Sequence, residues 1–338
     1  MQSNDFQGFA PSMPRRDVFK TVAALGAAMV SPSLFAQAKA LDQAKFVTGF
    51  AAGGTSDVLC RRLAARMSGS YAKSVVVENR TGASGQIAIQ AVKTAVADGS
   101  VILQTPMSML GIYPHIYKQL PYDPIKDLTP VSIGALFDFG FAVGPMVPES
   151  VKTINDYLAW VKTSQKVAFG SPAAGSVPHF VGMLNGRQQN VELTHIAYRG
   201  TQPAILEMIG GQLPAVSGPL GDLLPHLGGG KVRLLSCSGT QRSKFAPNVP
   251  TLIEQGFKDM EFTEWFGLFL PAGASAEVVQ RANAALRPAL ASPEVIEGLA
   301  AMGLEAASST PEELAARLKE DVTKWGSIVK TIGFSADA

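Results

Sequence analysis

Residues 47–57 read VTGFAAGGTSD: the end of a strand, a glycine turn and the opening of a helix. Phe46, Val47 and Phe50 have the character of a buried strand end. Gly53 and Gly54 can turn the chain through positive φ without a Cβ penalty. Thr55, Ser56 or Asp57 is then placed to cap a helix that continues VLCRRLAARM, with Leu59, Leu63 and Met67 along one face. A helix N-terminus behind glycines offers unpaired N–H groups and a partial positive charge. It can grip a carboxylate or phosphate with no cationic side chain.

The pattern repeats outward from this turn. Residues 44–50 are followed by a helix to about Tyr71 and a strand over 74–78. Ile87, Ala91, Val92 and Ala95 give the next helix an apolar face, and residues 101–105 form a third strand. A second series starts near Val143. It has a helix marked by Ile154, Leu158 and Val161, then strands at 167–170, 195–198, 215–217 and 232–237, with helices from Val177 or Pro178 and over 203–209. The chain returns through 265–271 and ends in helical stretches at 276–289, 293–301 and 311–330. Such alternation predicts an α/β fold of mostly parallel sheets covered by helices. Four strand-to-helix loops, at 53–57, 105–108, 171–176 and 200–202, share small residues, hydroxyls and free N–H groups. In a parallel sheet such loops gather at the carboxyl edge, where ligands bind, so two facing sheets would ring one cleft with them.

Composition bounds the function. The 338 residues allow two domains, and a net charge of +2 without basic runs excludes a nucleic-acid surface. Arg15-Arg16-Asp17-Val18-Phe19-Lys20, the apolar residues 21–30 and the alanines at 36, 38 and 40 have the layout of a cleavable export signal of the twin-arginine type. The mature product is therefore expected in the periplasm after cleavage within 36–40. Cys60 and Cys237 are too few for a disulfide framework and read as buried free thiols.

No catalytic constellation can be assembled. The histidines at 115, 179, 195 and 226 have no metal spacing, and Gly82-Ala83-Ser84-Gly85 has the wrong register for a nucleophile elbow. Gly228-Gly229-Gly230-Lys231 lacks the Ser or Thr that a phosphate loop requires after the lysine. No metal, cofactor or enzymatic activity is expected.

Ordered motifs from about Phe46 to Val329 carry a family resemblance. They are Gly53-Gly54-Thr55-Ser56-Asp57; Val77-Glu78-Asn79-Arg80-Thr81-Gly82-Ala83; Ala97-Asp98-Gly99; Leu120-Pro121-Tyr122-Asp123-Pro124; Lys126-Asp127-Leu128-Thr129-Pro130-Val131; the run from Gly170 to Ser176 with His179; Tyr198-Arg199-Gly200; Val249-Pro250-Thr251-Leu252; and Trp265-Phe266-Gly267-Leu268-Phe269. The chain resembles the Bug-type extracytoplasmic solute receptors of tripartite tricarboxylate transporters. The resemblance implies a bilobal periplasmic-binding-protein fold joined by hinge strands, which closes on a small di-, tri- or aromatic carboxylate. It also implies a monomer that serves membrane permease subunits. The organisation expected is an export signal over 1–40, a first lobe over 41–143, a second over 144–262, and a return to the first over 263–338.

The candidate ligand contacts are Gly54, Thr55 and Ser56 from the first lobe and Ala174, Gly175 and Ser176 from the second. Thr105, Ser108, Ser171 and Thr201 could add hydroxyls, Phe50 would cover the ligand, and Asp57 reads chiefly as a loop brace. Two departures stand out. Ala51-Ala52 replaces the family's prolines, and Ser217-Gly218-Pro219 stands where many members carry an acid, which argues against a ligand ammonium. The competing readings are an enzyme on a similar frame, with Cys60 its only nucleophile candidate, and a ligand-sensing partner of a two-component system.

Overall fold

A computed structural model describes residues 41–336; the proposed export signal lies outside them. The strands are β1 (Leu41–Thr48), β2 (Ala72–Asn79), β3 (Val101–Pro106), β4 (Leu128–Val143), β5 (Ala168–Ser171), β6 (Thr194–Ala197), β7 (Ala215–Pro219), β8 (Arg233–Cys237), β9 (Thr263–Pro271) and β10 (Glu305–Ala306). The helices are α1 (Thr55–Met67), α2 (Gln86–Lys93), α3 (Tyr113–Ile116), α4 (Ile154–Ser164), α5 (Val177–Gln188), α6 (Thr201–Ile209), α7 (Leu220–Leu223), α8 (Ala276–Leu290), α9 (Pro293–Ala300) and α10 (Pro311–Ile332). A π-helical turn, Ser108–Ile112, leads from β3 into α3.

Strand order is β2-β1-β3-β9-β4-β7-β5-β6, with β8 and β10 also paired to β4. The expected parallel ladders are present at β1–β2, β1–β3, β5–β6 and β5–β7. Antiparallel pairing is added to them by β4 and β9, so the sheet is mixed. The sixteen-residue β4 holds the two halves together. Its residues Leu128 to Asp138 pair with β9, and Phe139 to Val143 pair with β7. Register shifts between Pro130 and Ser132 and between Ile133 and Ala135 let it curl.

Sequence explains the main elements. Along α1, Leu59, Leu63 and Met67 are buried at i, i+4 and i+8, and Cys60 joins them. Its helix stops at Met67, short of Tyr71, where Ser68 turns out of helical φ/ψ and Gly69 takes φ +83°. α10 opens with Pro311 behind a Thr310/Glu313 capping box and buries Leu314, Leu318, Trp325, Val329 and Ile332. In α2 the buried face is Ala88, Ile89 and Val92, whereas Ile87 is 45% exposed. Four consecutive positive-φ residues, Gly82 to Gly85, rotate the start of that helix, and Ile87 folds back over Gly82.

Candidate functional site

One cavity lies where all four of the strand-to-helix loops meet. It is small, about 40 Å3, room for a few waters. Gly54, Thr55 and Ser56 come from the β1–α1 turn, Ser108 from the end of β3, Ser176 from the start of α5, and Thr201 from the start of α6. Phe50 lies outside β1 and lines the cavity as well. Thr105, Ser171, Ala174, Gly175 and Asp57 are not among the lining residues.

Those five have the following neighbours. Asp57 accepts from Gly53 N at 3.0 Å, Arg61 Nε at 2.8 Å and Asn79 Nδ2 at 2.9 Å, and these partners hold its carboxyl below the usual range against the effect of burial. It braces the glycine turn. Ser171 Oγ lies 2.7 Å from His195 Nε2, beneath a stacked His179–His195 pair with centroids 3.8 Å apart. The Gly175 amide donates to His179 Nδ1, and the Ala174 amide to Ser84 Oγ. Thr105 belongs to the β3 ladder, paired with Gly267 of β9.

The helix α1 has no side-chain cap: its N-cap is Gly54, extended at φ −82°, ψ 172°. The expected capping by Thr55, Ser56 or Asp57 is therefore corrected, because the first-turn donors are left for groups elsewhere in the fold. Thr55 N–H donates to Asp222 Oδ1 at 2.6 Å, across 167 positions of sequence. Ser217-Gly218-Pro219 carries no acid itself, yet one lies just beyond the end of β7. Asp222, three residues beyond the strand on α7, swings back to the cavity wall and is only 3% exposed. Burial pushes its carboxyl up, opposed by hydrogen bonds from Thr201 and Thr55.

A second internal acid plays the same part at Ser108. Glu264 on β9, also 3% exposed, accepts from the Ser108 N–H, while Ser108 Oγ accepts from Val177 N at 3.2 Å. Burial pushes the Glu264 carboxyl up to about 7; the Ser108 bonds oppose the shift and Asp321 adds to it. Further bonds tie the halves together. Ala51 N donates to Arg199 O at 3.0 Å, and Tyr113 OH lies within hydrogen-bond distance of both Ser84 O and Ala174 O. Gly200, at φ +123°, permits that approach, since a Cβ there would lie 2.9 Å from Ala51 N.

Several donors are left over. The N–H groups of Gly54, Ser56, Ser176, Thr201 and Gln202, all on the cavity wall, find no acceptor among the described residues. No Lys or Arg lines the cavity, and its other walls include Phe137, Phe139, Met109 and Phe266. Sequence reasoning had passed over Asp222, Glu264 and these walls. Their only local sign was aromatic residues at alternate positions 137 and 139, which share one face of a strand.

Two lobes curling around helix N-termini that meet at one cavity define a solute-binding protein of the periplasmic-binding-protein class. Within that class the chain belongs to the tripartite tricarboxylate transporter receptor family, whose model matches residues 59–334. It is 32% identical over 287 residues to an uncharacterised-family protein of Bordetella bronchiseptica, covering 85% of this chain and 84% of the relative. Protein BugT of Bordetella pertussis is 28% identical over 291 residues, covering 86% of this chain and 89% of the relative. The periplasmic binding protein BugD superposes with a TM-score of 0.81 at 28% identity, covering 87% of this chain and 98% of that one. An R. palustris protein solved with adipate gives the same TM-score, identity and coverage. Among the described residues no helix is long and apolar enough to cross a membrane.

Proposed function

We propose that the protein captures a small carboxylate between its lobes in the periplasm, as a monomer, and delivers it to the membrane permease subunits of a tripartite transporter. The observation that carries this is a set of amides without an acceptor among the described residues, Gly54 and Ser56 from one half of the sheet and Ser176, Thr201 and Gln202 from the other, on the wall of one cavity. A buried N–H without an acceptor is costly, and a ligand carboxylate supplies one. The adipate bound by the R. palustris relative supports the same ligand chemistry. In this reading the lobes are 41–143 with 263–338, and 144–262.

The ligand is bound without turnover. Cys60, the only nucleophile candidate, is fully buried, and burial pushes its thiol well above the ordinary range. Cys237 is likewise pushed up to about 12. A thiol kept protonated and out of solvent is a poor nucleophile.

A thermal-shift screen of carboxylates, followed by calorimetry, tests the binding reading, because a ligand that binds only the folded state raises its Tm. Ser176→Pro removes the α5 donor at a position whose φ is −87°, near the proline value. Loss of one hydrogen bond to a charged group should weaken the best ligand by roughly tenfold to a hundredfold. Wild-type affinity in a folded Ser176→Pro variant would place the site elsewhere.

Export follows the N-terminal sequence. With Arg15 and Arg16 both replaced by lysine, precursor should accumulate in the cytoplasm at the expense of the periplasmic form. An unchanged periplasmic yield would exclude the twin-arginine route.

A further inference from the structure

We propose that capture of a carboxylate in this cleft takes up one proton, which Glu264 holds against the ligand, so that the receptor carries anion and proton together; this rests on the carboxylate-receptor reading above. Three features of the cavity converge on it: its small size, the sign of the charge on its walls, and the sparse hydrogen bonding of one wall acid.

Size and sign come first. The space is about 40 Å3, room for a few waters or a single carboxylate group. Glu264 and Asp222 are the only ionisable side chains on its wall, and both are buried acids. A ligand carboxylate confined there adds a third negative charge, and no lysine, arginine or histidine lines the space to offset it. Like charges held together disfavour one another's ionised form, so the least stabilised of the three carboxylates takes a proton.

Glu264 is that acid. Asp222 accepts the Thr55 N–H at 2.6 Å, is also hydrogen-bonded by the hydroxyls of Thr55 and Thr201, and has His226 nearby. Among the described residues Glu264 draws on Ser108 alone, through its amide and its hydroxyl. That hydroxyl oxygen also accepts from Val177 N at 3.2 Å, which ties Ser108 to the first turn of α5. Burial lifts Glu264 to about 7 before any ligand arrives, with Asp321 adding to the shift. A ligand carboxylate lifts it further. Once protonated, Glu264 becomes a donor. Two carboxyl groups with one proton between them form a charge-assisted O–H···O bond in place of a repulsion.

The other titratable groups around Glu264 do not compete for the proton. β3 and the π-helical turn that follows it carry no ionisable side chain, and Lys93 of α2 is paired with Asp127. Asp321 on α10 accepts from Trp265 Nε1 at 2.7 Å and from Arg317 Nε at 3.3 Å. Tyr113 on α3 is held well above its ordinary value by burial, with Glu264 adding to the effect. Beyond Ser108, burial lowers the stacked His179 and His195 to about 4 and about 3, so both stay neutral above pH 6. Asp138 on β4, pushed up to about 6 by burial, does not line the cavity.

The test is calorimetry on the mature chain with adipate, malate and benzoate as probes, from pH 6.5 to 8.5, where the probes are ionised. Heats measured at pH 8 in phosphate and in Tris, buffers of different ionisation enthalpy, give the protons bound with each ligand. For every probe that binds, wild-type Kd should weaken roughly tenfold or more across the range, and over about half a proton should be taken up at pH 8. Glu264→Gln keeps a donor for the ligand and an acceptor for the Ser108 amide but does not titrate. Its Kd should stay level across the range, with no proton uptake. A level wild-type Kd without uptake overturns the proposal while the receptor reading stands. Uptake that persists undiminished in Glu264→Gln assigns the proton to another group and also overturns it. Should none of the probes bind at any pH, the receptor reading falls and this proposal with it.

Discussion

Gly221→Ala should lower Tm by about 10 °C and weaken ligand binding, although the substitution adds a single methyl group. A Cβ built on Gly221 falls 1.5 Å from the backbone carbonyl oxygen of Met302 and 2.9 Å from Thr55 Cγ2. The first obstacle is main chain and cannot rotate away, so α7 must move. Overpacking of this kind costs about 1–3 kcal/mol and sometimes more. The next residue is Asp222, whose 2.6 Å bond to Thr55 N–H links α7 to the N-terminus of α1. Stretching that bond forfeits a further 1.5–3 kcal/mol, roughly the worth of a hydrogen bond to a charged group. For a chain of this size each kcal/mol moves Tm by about 2–4 °C. The control is Gly228→Ala, where nothing lies within 4 Å of the added methyl and no positive φ is needed. A Tm for Gly221→Ala within a degree of the control would show that the approach to Met302 yields freely, and the account of α7 as a rigid mount for Asp222 would fail.

Asp222 illustrates where sequence reading reaches and where it stops. The β1–turn–α1 unit was legible because its signals are local: apolar residues, two glycines, then a periodic apolar face on Leu59, Leu63 and Met67. The three C-terminal helices were legible for the same reason, each announced by Pro or Ser at its start. The loops that surround the cavity also followed from a local rule, that strand-to-helix turns collect at one sheet edge. β4 did not show itself. Pro130, Gly134 and Gly140 interrupt its sixteen residues, and those residues read as turn signals until antiparallel partners on both sides and three register shifts accommodate them.

The use of the donors was beyond local rules altogether. Thr55 and Asp222 are 167 positions apart, and Ser108 and Glu264 are 156 apart. Nothing near Thr55 in the chain says that its amide is already taken. Nor does anything near Asp222 say that its side chain returns to the sheet edge. Composition made the cleft look rich in donors, whereas tertiary packing spends several of them, Thr55, Ala174, Gly175 and Val177 among them, on the protein itself.

Glu264→Gln should stabilise the protein at pH 8 by up to about 3 kcal/mol while changing little at pH 4.5. Burial on β9 raises the Glu264 carboxyl from 4.5 to about 7 in the folded chain. Between those values the folded state holds a proton that the unfolded chain has released. The stability this group contributes is thus fully present below pH 4.5 and is lost as pH rises towards 7. A difference of 2.5 pH units corresponds to about 3 kcal/mol. Glutamine resembles the protonated acid, can still accept from the Ser108 amide, and does not titrate. The comparison must be a difference between the two proteins, because His179 and His195 act in the opposite sense. Burial lowers them to about 4 and about 3, so their neutral forms favour the fold above the ordinary histidine range and cost stability as pH falls. Those contributions are common to both chains and cancel when Tm of the variant minus Tm of the wild type is followed from pH 4.5 to 8. That difference should be near zero at the acid end, climb through pH 5–7, and level off at several degrees above pH 7. A flat difference would mean that Glu264 is as ionised in the folded chain as in the unfolded one. Its burial behind Ser108 would then be fully compensated by hydrogen bonds.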